Sequence, residues 1–256
     1  MKIKDLIKVL ELWAPPAYQE SYDNSRLIVG NPNDEVEKCI VALDCVEDVV
    51  DEAIEVGAQI IVAHHPIVFG GLKSFTGKNY IERTVMKAIK NDIAIYAIHT
   101  NLDNVHSGVN YKIASRLGLQ NVEILDPKNG LLRKLVTFVP VAQSEKVLNA
   151  LFQAGAGFIG KYSECSFSLT GTGTFKAGEG ANPHVGEIDE RHHEQEQRVE
   201  VIYPVIYEGS ILNALNESHP YEEGAYDLYQ IQNKNALVGS GKGGELEESM
   251  DEKAFM

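Results

Sequence analysis

Two short stretches of the chain contain the residue types that bind divalent metal ions. His64 and His65 are adjacent and precede Pro66, and Asp103 follows His99 by four residues. Imidazole nitrogens suit zinc, iron, nickel or copper, and a carboxylate extends the choice toward manganese and magnesium. A His-His-Pro sequence by itself is more often a structural strand end. His99 and Asp103, in the second stretch, make a metal site the favoured interpretation.

The order of these residues predicts a separate role for each. Successive side chains of a strand point to opposite sides, so His64 and His65 are expected to diverge and to serve one ion each. Asp103 adds an anionic oxygen to the same cleft. His99 is expected to hydrogen-bond to a ligand and orient it, with direct ligation as the alternative. For Asp44 the favoured role is a helix N-cap, with such an orienting contact as the alternative.

The elements that position these residues alternate between strand and helix. Short apolar runs indicate buried strands, and apolar residues at helical spacing indicate the helices between them. The strands are predicted at 39–44, 58–63 and 93–98, and the helices at 46–56, 80–90 and 107–117, after a first helix within 1–13. This βαβαβ order predicts a parallel sheet, and ligands gather at the carboxyl ends of such strands. Ser107 is expected to cap the helix that follows it.

A turn-rich break near residues 126–130 separates a second pattern. Strands at 131–139, 166–175, 198–203 and 226–231 and helices at 144–153 and 210–216 follow the ferredoxin-like order. We therefore predict an α/β fold with a parallel βαβ sheet domain, followed by a second, ferredoxin-like α+β domain.

Several other features favour unremarkable roles. The glycines between Gly171 and Gly180 lack the lysine of a phosphate-binding loop, which favours a mobile or oligomer-contact loop. Two histidine and glutamate pairs at i, i+4 spacing, His192 with Glu196 and His219 with Glu223, are interpreted as solvated or structural. The acidic runs 179–200 and 245–252 are interpreted as solvated faces.

Composition limits the choice of partners. The formal charge of −14 repels phosphate backbones and anionic lipid, so nucleic acid and membrane partners are disfavoured. Three cysteines form no CxxC pair and are expected to be buried and reduced, which predicts a cytoplasmic protein. There is no Gly-x-Ser-x-Gly elbow and no plausible cysteine nucleophile. A hydrolase mechanism with a covalent intermediate is therefore disfavoured, and no catalytic residue is assigned.

At its motifs the chain resembles the Nif-three-like family of toroidal dinuclear-metal proteins, the type 2 GTP cyclohydrolase I homologues. The matching segments are Tyr22-Asp23-Asn24-Ser25, Ala63-His64-His65-Pro66 and His99-Thr100-Asn101-Leu102-Asp103. The segments Gly171-Thr172-Gly173-Thr174-Phe175 and His219-Pro220-Tyr221-Glu222-Glu223 resemble the PII-like and CutA-like insertion of longer bacterial members.

The resemblance implies a homohexamer whose metal sites face an inner cavity. It makes His64, His65 and Asp103 ligands of two divalent ions, with zinc, iron or manganese favoured. The family completes this site with a His and a Glu four residues apart in a segment after the insertion, expected beyond residue 256. The resemblance thus implies a parallel sheet domain with an inserted ferredoxin-like domain. The domains are 1–129, the N-terminal half of the metal-binding domain; 130–235, the insertion; and 236–256, the start of the second half. The metal-binding domain is expected to be incomplete at its C-terminus in this chain.

Two functions remain open from the sequence. The leading hypothesis is a cyclohydrolase-like, metal-dependent hydrolase that acts on a nucleotide or related small molecule, because two metal ions can activate water and polarise an electrophile. The alternative is a non-catalytic metal-binding or regulatory oligomer whose insertion domain binds a small molecule or a partner.

Overall fold

Two compact units make up the chain. The structure, a computed structural model, describes residues 1–255, without the side chains of residues 254 and 255. One unit comprises Met1–Pro127 and the segment that begins at Leu237, and the other is Lys128–Ala236. The boundaries predicted from the sequence lie at 129/130 and 235/236. Within residues 1–255, no helix has the length and apolar character needed to cross a membrane.

The first unit is built on a four-stranded sheet. Its strands are β1 (Leu27–Val29), β2 (Cys39–Asp44), β3 (Ile60–His65) and β4 (Ala94–Ala97), in the spatial order β1-β4-β3-β2. The last three run parallel, and β1 is antiparallel to β4. The apolar residues of β3 and β4 are buried on both faces, as expected for a covered parallel sheet.

Helices cover both faces of this sheet. They are α1 (Ile3–Trp13), α2 (Glu47–Val56), α3 (Tyr80–Lys90), α4 (Thr100–Asn104) and α5 (Val109–Arg116). The alternation of β3 separates two cores: Ile61 and Ala63 pack with residues of α2 and α3, whereas Ile60 and Val62 pack with Ile3 of α1. The chain leaves α2 through Gly57, whose φ of 69° is left-handed and therefore suits glycine.

Several predicted boundaries differ from the structure where they affect the site. The strand predicted at 58–63 is β3, which extends through both histidines, so His64 and His65 are its last two residues. The short helix α4, which contains Asp103, is absent from the sequence prediction. Ser107 is not a helix cap, because α5 begins at Val109, and the Ser107 hydroxyl instead accepts a hydrogen bond from the Trp13 indole at 3.1 Å.

The second unit has the ferredoxin-like topology predicted from the sequence. After β5 (Gln120–Pro127), the chain forms β6 (Leu132–Pro140), α6 (Ser144–Gln153), β7 (Ser166–Lys176), β8 (Arg191–Pro204), α7 (Glu208–Ser218) and β9 (Tyr226–Gln230). The sheet order is β7-β8-β6-β9, and every neighbouring pair is antiparallel. Apolar residues of α6 and α7 pack on one face, against β6 and β8.

The chain then returns to the first unit. Strand β10 (Gly239–Glu245) pairs antiparallel with β5, and α8 (Glu252–Phe255) is the last helix of the described residues. Neither β5 nor β10 was predicted as a strand. The predicted α/β fold class, a parallel sheet domain with a ferredoxin-like insertion, is confirmed.

Two further predictions were wrong in part. Gly171 and Gly173 lie inside β7 and not in a mobile loop, because β7 and β8 form one long ladder from Ser166 to Lys176.

Cys45 is buried as expected, but Cys39 is exposed on the edge strand β2. The three cysteines form no disulfide among the described residues.

Candidate metal centre

Three histidines converge at the carboxyl ends of β3 and β4. The ring centroids of His64 and His65 are 5.0 Å apart, and each lies within 5.5 Å of the His99 centroid. One ring nitrogen of each histidine lies within 4.8 Å of those of the other two. His64 and His65 therefore do not diverge as the alternation of a strand predicts.

The neighbouring strands explain why the two adjacent rings converge. The His64 Nδ1 donates to the carbonyl oxygen of Ile98, just beyond β4, at 3.0 Å. The His65 Nδ1 contacts the Asp44 carboxylate, at the end of β2, at 2.8 Å. Asp44 is also the register partner of His65 in the parallel ladder. Each ring is thus attached to a different neighbouring strand end.

His99 is held by a buried carboxylate. Its Nδ1 lies 2.8 Å from Oδ1 of Asp23, which is only 9% exposed. Burial raises the pKa of Asp23, but hydrogen bonds from Thr100, His99 and Ser25 outweigh it and hold the pKa well below its usual range. Asp23 is therefore a fixed anion that orients the His99 ring and anchors the start of α4 through the Thr100 N–H.

These contacts determine the tautomer of all three histidines. Each Nδ1 faces an oxygen that can only accept, a carbonyl or an ionised carboxylate, so each Nδ1 carries the proton. In the neutral ring, Nε2 then has a free lone pair. Carboxylate and carbonyl contacts of this kind are the usual supports of metal-ligating histidines.

Asp103 adds a carboxylate beside this cluster. Its Oδ1 lies 3.6 Å from Nε2 of His64, and α4 carries it to the same strand end as His99. Burial raises the pKa of the Asp103 carboxyl, and the nearby His64 and His99 oppose that shift only in part. A divalent cation would favour the ionised form, so the chemistry of these donors, imidazole nitrogens with one carboxylate, fits such an ion.

Two orienting residues were missed or misassigned from the sequence. The favoured role of Asp44 was wrong, because the N-cap of α2 is Val46, which makes no side-chain capping bond. The structure shows the alternative role, an orienting contact, with His65 as the partner. Asp23 was noted only as part of a motif. No local pattern identifies either contact, because the partners are 21 and 76 residues apart in sequence.

The other predicted histidine pairs lie elsewhere, in the second unit. His192 and Glu196 are on the strand β8, and His192 contacts Glu194 at 2.8 Å. His219 follows the last residue of α7, so no helix aligns it with Glu223. Glu196 is 8% exposed, which corrects its assignment to a solvated acidic face.

Together the fold and the site define a class: an α/β protein with a histidine cluster at the carboxyl ends of its parallel strands and a ferredoxin-like unit inserted in the chain. The chain belongs to the Duf34/NIF3 (NGG1p interacting factor 3) family, whose model matches residues 1–256. The family predicted from the sequence motifs is confirmed.

Known relatives extend over nearly the whole chain. The proteins called GTP cyclohydrolase 1 type 2 homolog from Halalkalibacterium halodurans and Bacillus subtilis are 43% and 41% identical to it. Each match covers 98% of this chain and 68% of the relative. This chain therefore spans about two thirds of the length of those relatives.

Solved structures agree with the fold. A Bacillus cereus protein related to NIF3 has a TM-score of 0.86 and 42% identity, over 100% of this chain and 68% of that one. The Staphylococcus aureus protein SA1388 has a TM-score of 0.71 and 29% identity, over 100% of this chain and 66% of that one.

Proposed function

We propose that the protein binds two divalent metal ions through His64, His65 and Asp103 and acts as a hydrolase on a nucleotide or related small molecule. The observation that supports this is the shared arrangement of the histidines. Each has its Nδ1 held by a carbonyl or carboxylate and its Nε2 lone pair left for a ligand. A cluster that served only packing would not need every ring in the same tautomer.

The chain's own residues prepare the site for this chemistry. When bound, a divalent ion supplies Lewis acidity and an activated water. Asp44 and Asp23 hold the His65 and His99 rings in place, so little reorganisation is needed on binding. The Phe69 ring lies edge-on to His99, with 6.4 Å between the ring centroids, and adds an apolar side chain beside the cluster.

The substrate class rests on the relatives. Two of them carry the name GTP cyclohydrolase 1 type 2 homolog, which makes a nucleotide the first substrate class to test. Zinc, iron and manganese are the ions that we propose, because they accept both imidazole and carboxylate ligands. We also propose a cytoplasmic protein, since the three described cysteines are free thiols.

Metal analysis of single variants tests the ligand assignment. In a protein with the full length of the curated relatives, we expect His64→Ala, His65→Ala and Asp103→Ala each to abolish stoichiometric metal, measured by inductively coupled plasma mass spectrometry. We expect His99→Ala to weaken affinity less, by about 10- to 100-fold, the loss typical of a residue outside the ligand set. Loss of all metal in this variant would make His99 a direct ligand, the alternative that its Nε2 lone pair also allows. His193→Ala is the control, because it removes an exposed imidazole on β8. Unchanged metal in the His64 and Asp103 variants would refute the site.

Turnover distinguishes the hydrolase from a non-catalytic metal-binding or regulatory oligomer. The metal-loaded protein is assayed against a panel of purine and pyrimidine nucleotides, with product formation followed by chromatography. A hydrolase gives turnover that disappears with Asp103→Ala. Full metal occupancy without turnover of any member of the panel would favour the regulatory alternative.

A further inference from the structure

The second unit contains a cavity that the proposed hydrolase does not use. Its volume is about 700 Å³, within the range of small-molecule sites. It lies on the sheet face opposite α6 and α7, because Glu196 and Arg198 of β8 line it, whereas Val199 and Val201 point into the helix-covered core. Segment 177–184 forms one wall and is attached where the Asn182 N–H donates to Glu222 at 3.1 Å.

A nearly buried carboxylate faces this cavity. Glu196 is 8% exposed, and its Oε1 accepts a hydrogen bond from the Tyr221 hydroxyl at 2.9 Å. Its Oε2 lies only 2.0 Å from the position that a Cβ on Gly173 would occupy. The carboxylate therefore lies directly against the backbone of β7. In this position it leaves no room for a side chain at residue 173, so glycine is required there.

The cations that line the cavity are engaged with other carboxylates. Arg198 donates to Glu200 at 2.9 Å, and Lys176 lies 3.3 Å from Asp189. Among the described contacts, the side-chain donor to Glu196 is one hydroxyl. A buried carboxylate is costly unless more donors satisfy its oxygens. This leaves Glu196 with acceptor capacity directed at whatever occupies the cavity.

Aromatic rings surround the ring of Tyr221, whose hydroxyl contacts Glu196. The Tyr221 ring centroid lies 5.8 Å from that of Phe175, 6.2 Å from that of His184 and 5.2 Å from that of His219. His219 is neutral and fixed, because its Nδ1 accepts from the Tyr221 N–H and its Nε2 therefore donates to the Phe138 carbonyl. Faces of such rings stack on planar groups and attract delocalised cations.

We propose that this cavity is a ligand site for a small planar group with two adjacent N–H donors, the edge shared by amidinium or guanidinium ions and by heterocycles in which a ring N–H lies next to an amino group. Glu196 accepts the paired N–H groups. One of the Phe175 and Tyr221 rings packs on the plane of the ligand, and the other, inclined to the first by 59°, contacts its edge. Anionic ligands are disfavoured, because Glu196, Glu222 and Glu223 all line the cavity. The site is independent of the metal centre, since every lining residue belongs to the second unit.

Benzamidine and 2-amino-4(3H)-pyrimidinone are suitable probes. The amidinium presents the paired N–H donors as a cation, and the pyrimidinone presents them through its ring N–H and its amino group as a neutral ring. Benzoate has the same shape as benzamidine with the opposite charge. Binding to the whole purified protein is measured by calorimetry and by chemical-shift changes in NMR spectra. We expect saturable binding of at least one donor probe, with a Kd of about 1 mM or below for a fragment of this size, and none of benzoate.

Two variants and a control test the role of the carboxylate. Glu196→Gln keeps the volume of the side chain but loses the charge and one acceptor, so we expect binding to weaken roughly tenfold or more. Gly173→Ala should have a similar effect, because the new methyl displaces the Glu196 carboxylate, which is the flexible end of its side chain. Glu194→Gln, two residues away on β8, does not line the cavity and should bind as the wild type does.

Each outcome decides the proposal. Binding of benzamidine alone identifies a cation site, and binding of both donor probes identifies recognition of the donor edge. The proposal is overturned if neither donor probe binds saturably, if benzoate binds as well as benzamidine, or if Glu196→Gln binds like the wild type. Thermal unfolding of both variants shows whether a loss of binding comes from the site, because the Gly173 and Glu196 variants should melt as cooperatively as the Glu194 control.

Discussion

Asp44 determines the orientation of the His65 ring, although Asp44 lies outside any metal-ligand motif. Its Oδ1 lies 2.8 Å from Nδ1 of His65, and the two side chains are 58% and 47% exposed. Because the contact is accessible to water, its contribution to folding is small. The Asp44 contact instead affects the orientation of the His65 ring and the basicity of the His65 Nε2.

This predicts a variant with altered metal affinity and unaltered folding. We expect Asp44→Ala to weaken metal binding by about 10- to 100-fold, since the ring loses the partner that fixes its tautomer. Competition with a chromophoric chelator measures the affinity. Asp48→Ala, an exposed carboxylate in the first turn of α2, is the matched control and should bind metal normally. Equal affinities of the two variants would show that Asp44 does not orient the site.

At the scale of the elements, Glu82 attaches the segment before α3 to that helix. It is only 2% exposed, and its Oε2 accepts from the Thr76 N–H at 2.9 Å, the Thr76 hydroxyl at 3.1 Å and the Lys78 N–H at 3.3 Å. These contacts, led by the Thr76 N–H, lower the pKa of Glu82 below its ordinary 4.5. The contact matters for the site because the segment from Pro66 to Asn79 joins β3 to α3.

The lowered pKa predicts an acid-dependent part of the stability. Above pH 4.5, Glu82 is ionised in both the folded and unfolded chains, and the folded chain has the full benefit of the contacts. As the pH falls below 4.5, the unfolded chain takes up the proton first, so this stabilisation decreases. Glu82→Gln should therefore be less stable than the wild type at pH 7, by an amount that shrinks toward pH 3.

Urea unfolding from pH 3 to pH 7 measures this difference through the midpoint of the transition. Glu52→Gln, at an exposed position of α2, serves as the control and should follow the wild-type profile. A constant gap between Glu82→Gln and the wild type across this range would contradict the proposed role of the charge.

At the scale of the whole molecule, apolar side chains are exposed along two edge strands. On β2, Val41 is 82% and Leu43 is 62% exposed; on β7, Phe167 is 65% and Leu169 is 59% exposed. Edge strands with apolar side chains favour pairing between chains, and exposed apolar patches often mark interaction surfaces. These features support the proposal of a homo-oligomer, for which the family resemblance implies a hexamer.

Multi-angle light scattering at micromolar concentration tests this assembly. We expect a mass of two or more chains. We expect Phe167→Asp to lower this mass, because a charge on the β7 edge opposes burial of that strand. Ser168→Asp adds the same charge at the adjacent exposed position and should change the mass less. A monomeric wild-type protein would sink the proposal of self-association.

The sequence by itself determined the class and order of most elements, but not β1, β5, β10 or the short helix α4. Continuous apolar runs identified β3 and β4, and helical spacing identified α3 and α6 with the bounds that the structure has. These patterns are informative because periodicity reports which faces of an element are buried. The sequence also predicted that His64 and His65, after one strand, and Asp103, after the next, lie in one cleft, because parallel strands have their carboxyl ends at the same edge of the sheet.

Only the tertiary structure decided which side chains meet at those ends. Asp23 contacts His99 across 76 residues, and Asp44 contacts His65 across 21, and neither separation follows a helical or strand period. Glu196 looked like part of a solvated acidic run, but β7 and the Tyr221 turn bury it above Gly173. Local periodicity records the burial of an element against its own core. It contains no information on which distant backbone or side chain covers a given atom, and that contact determines the charge, tautomer and accessibility on which function depends.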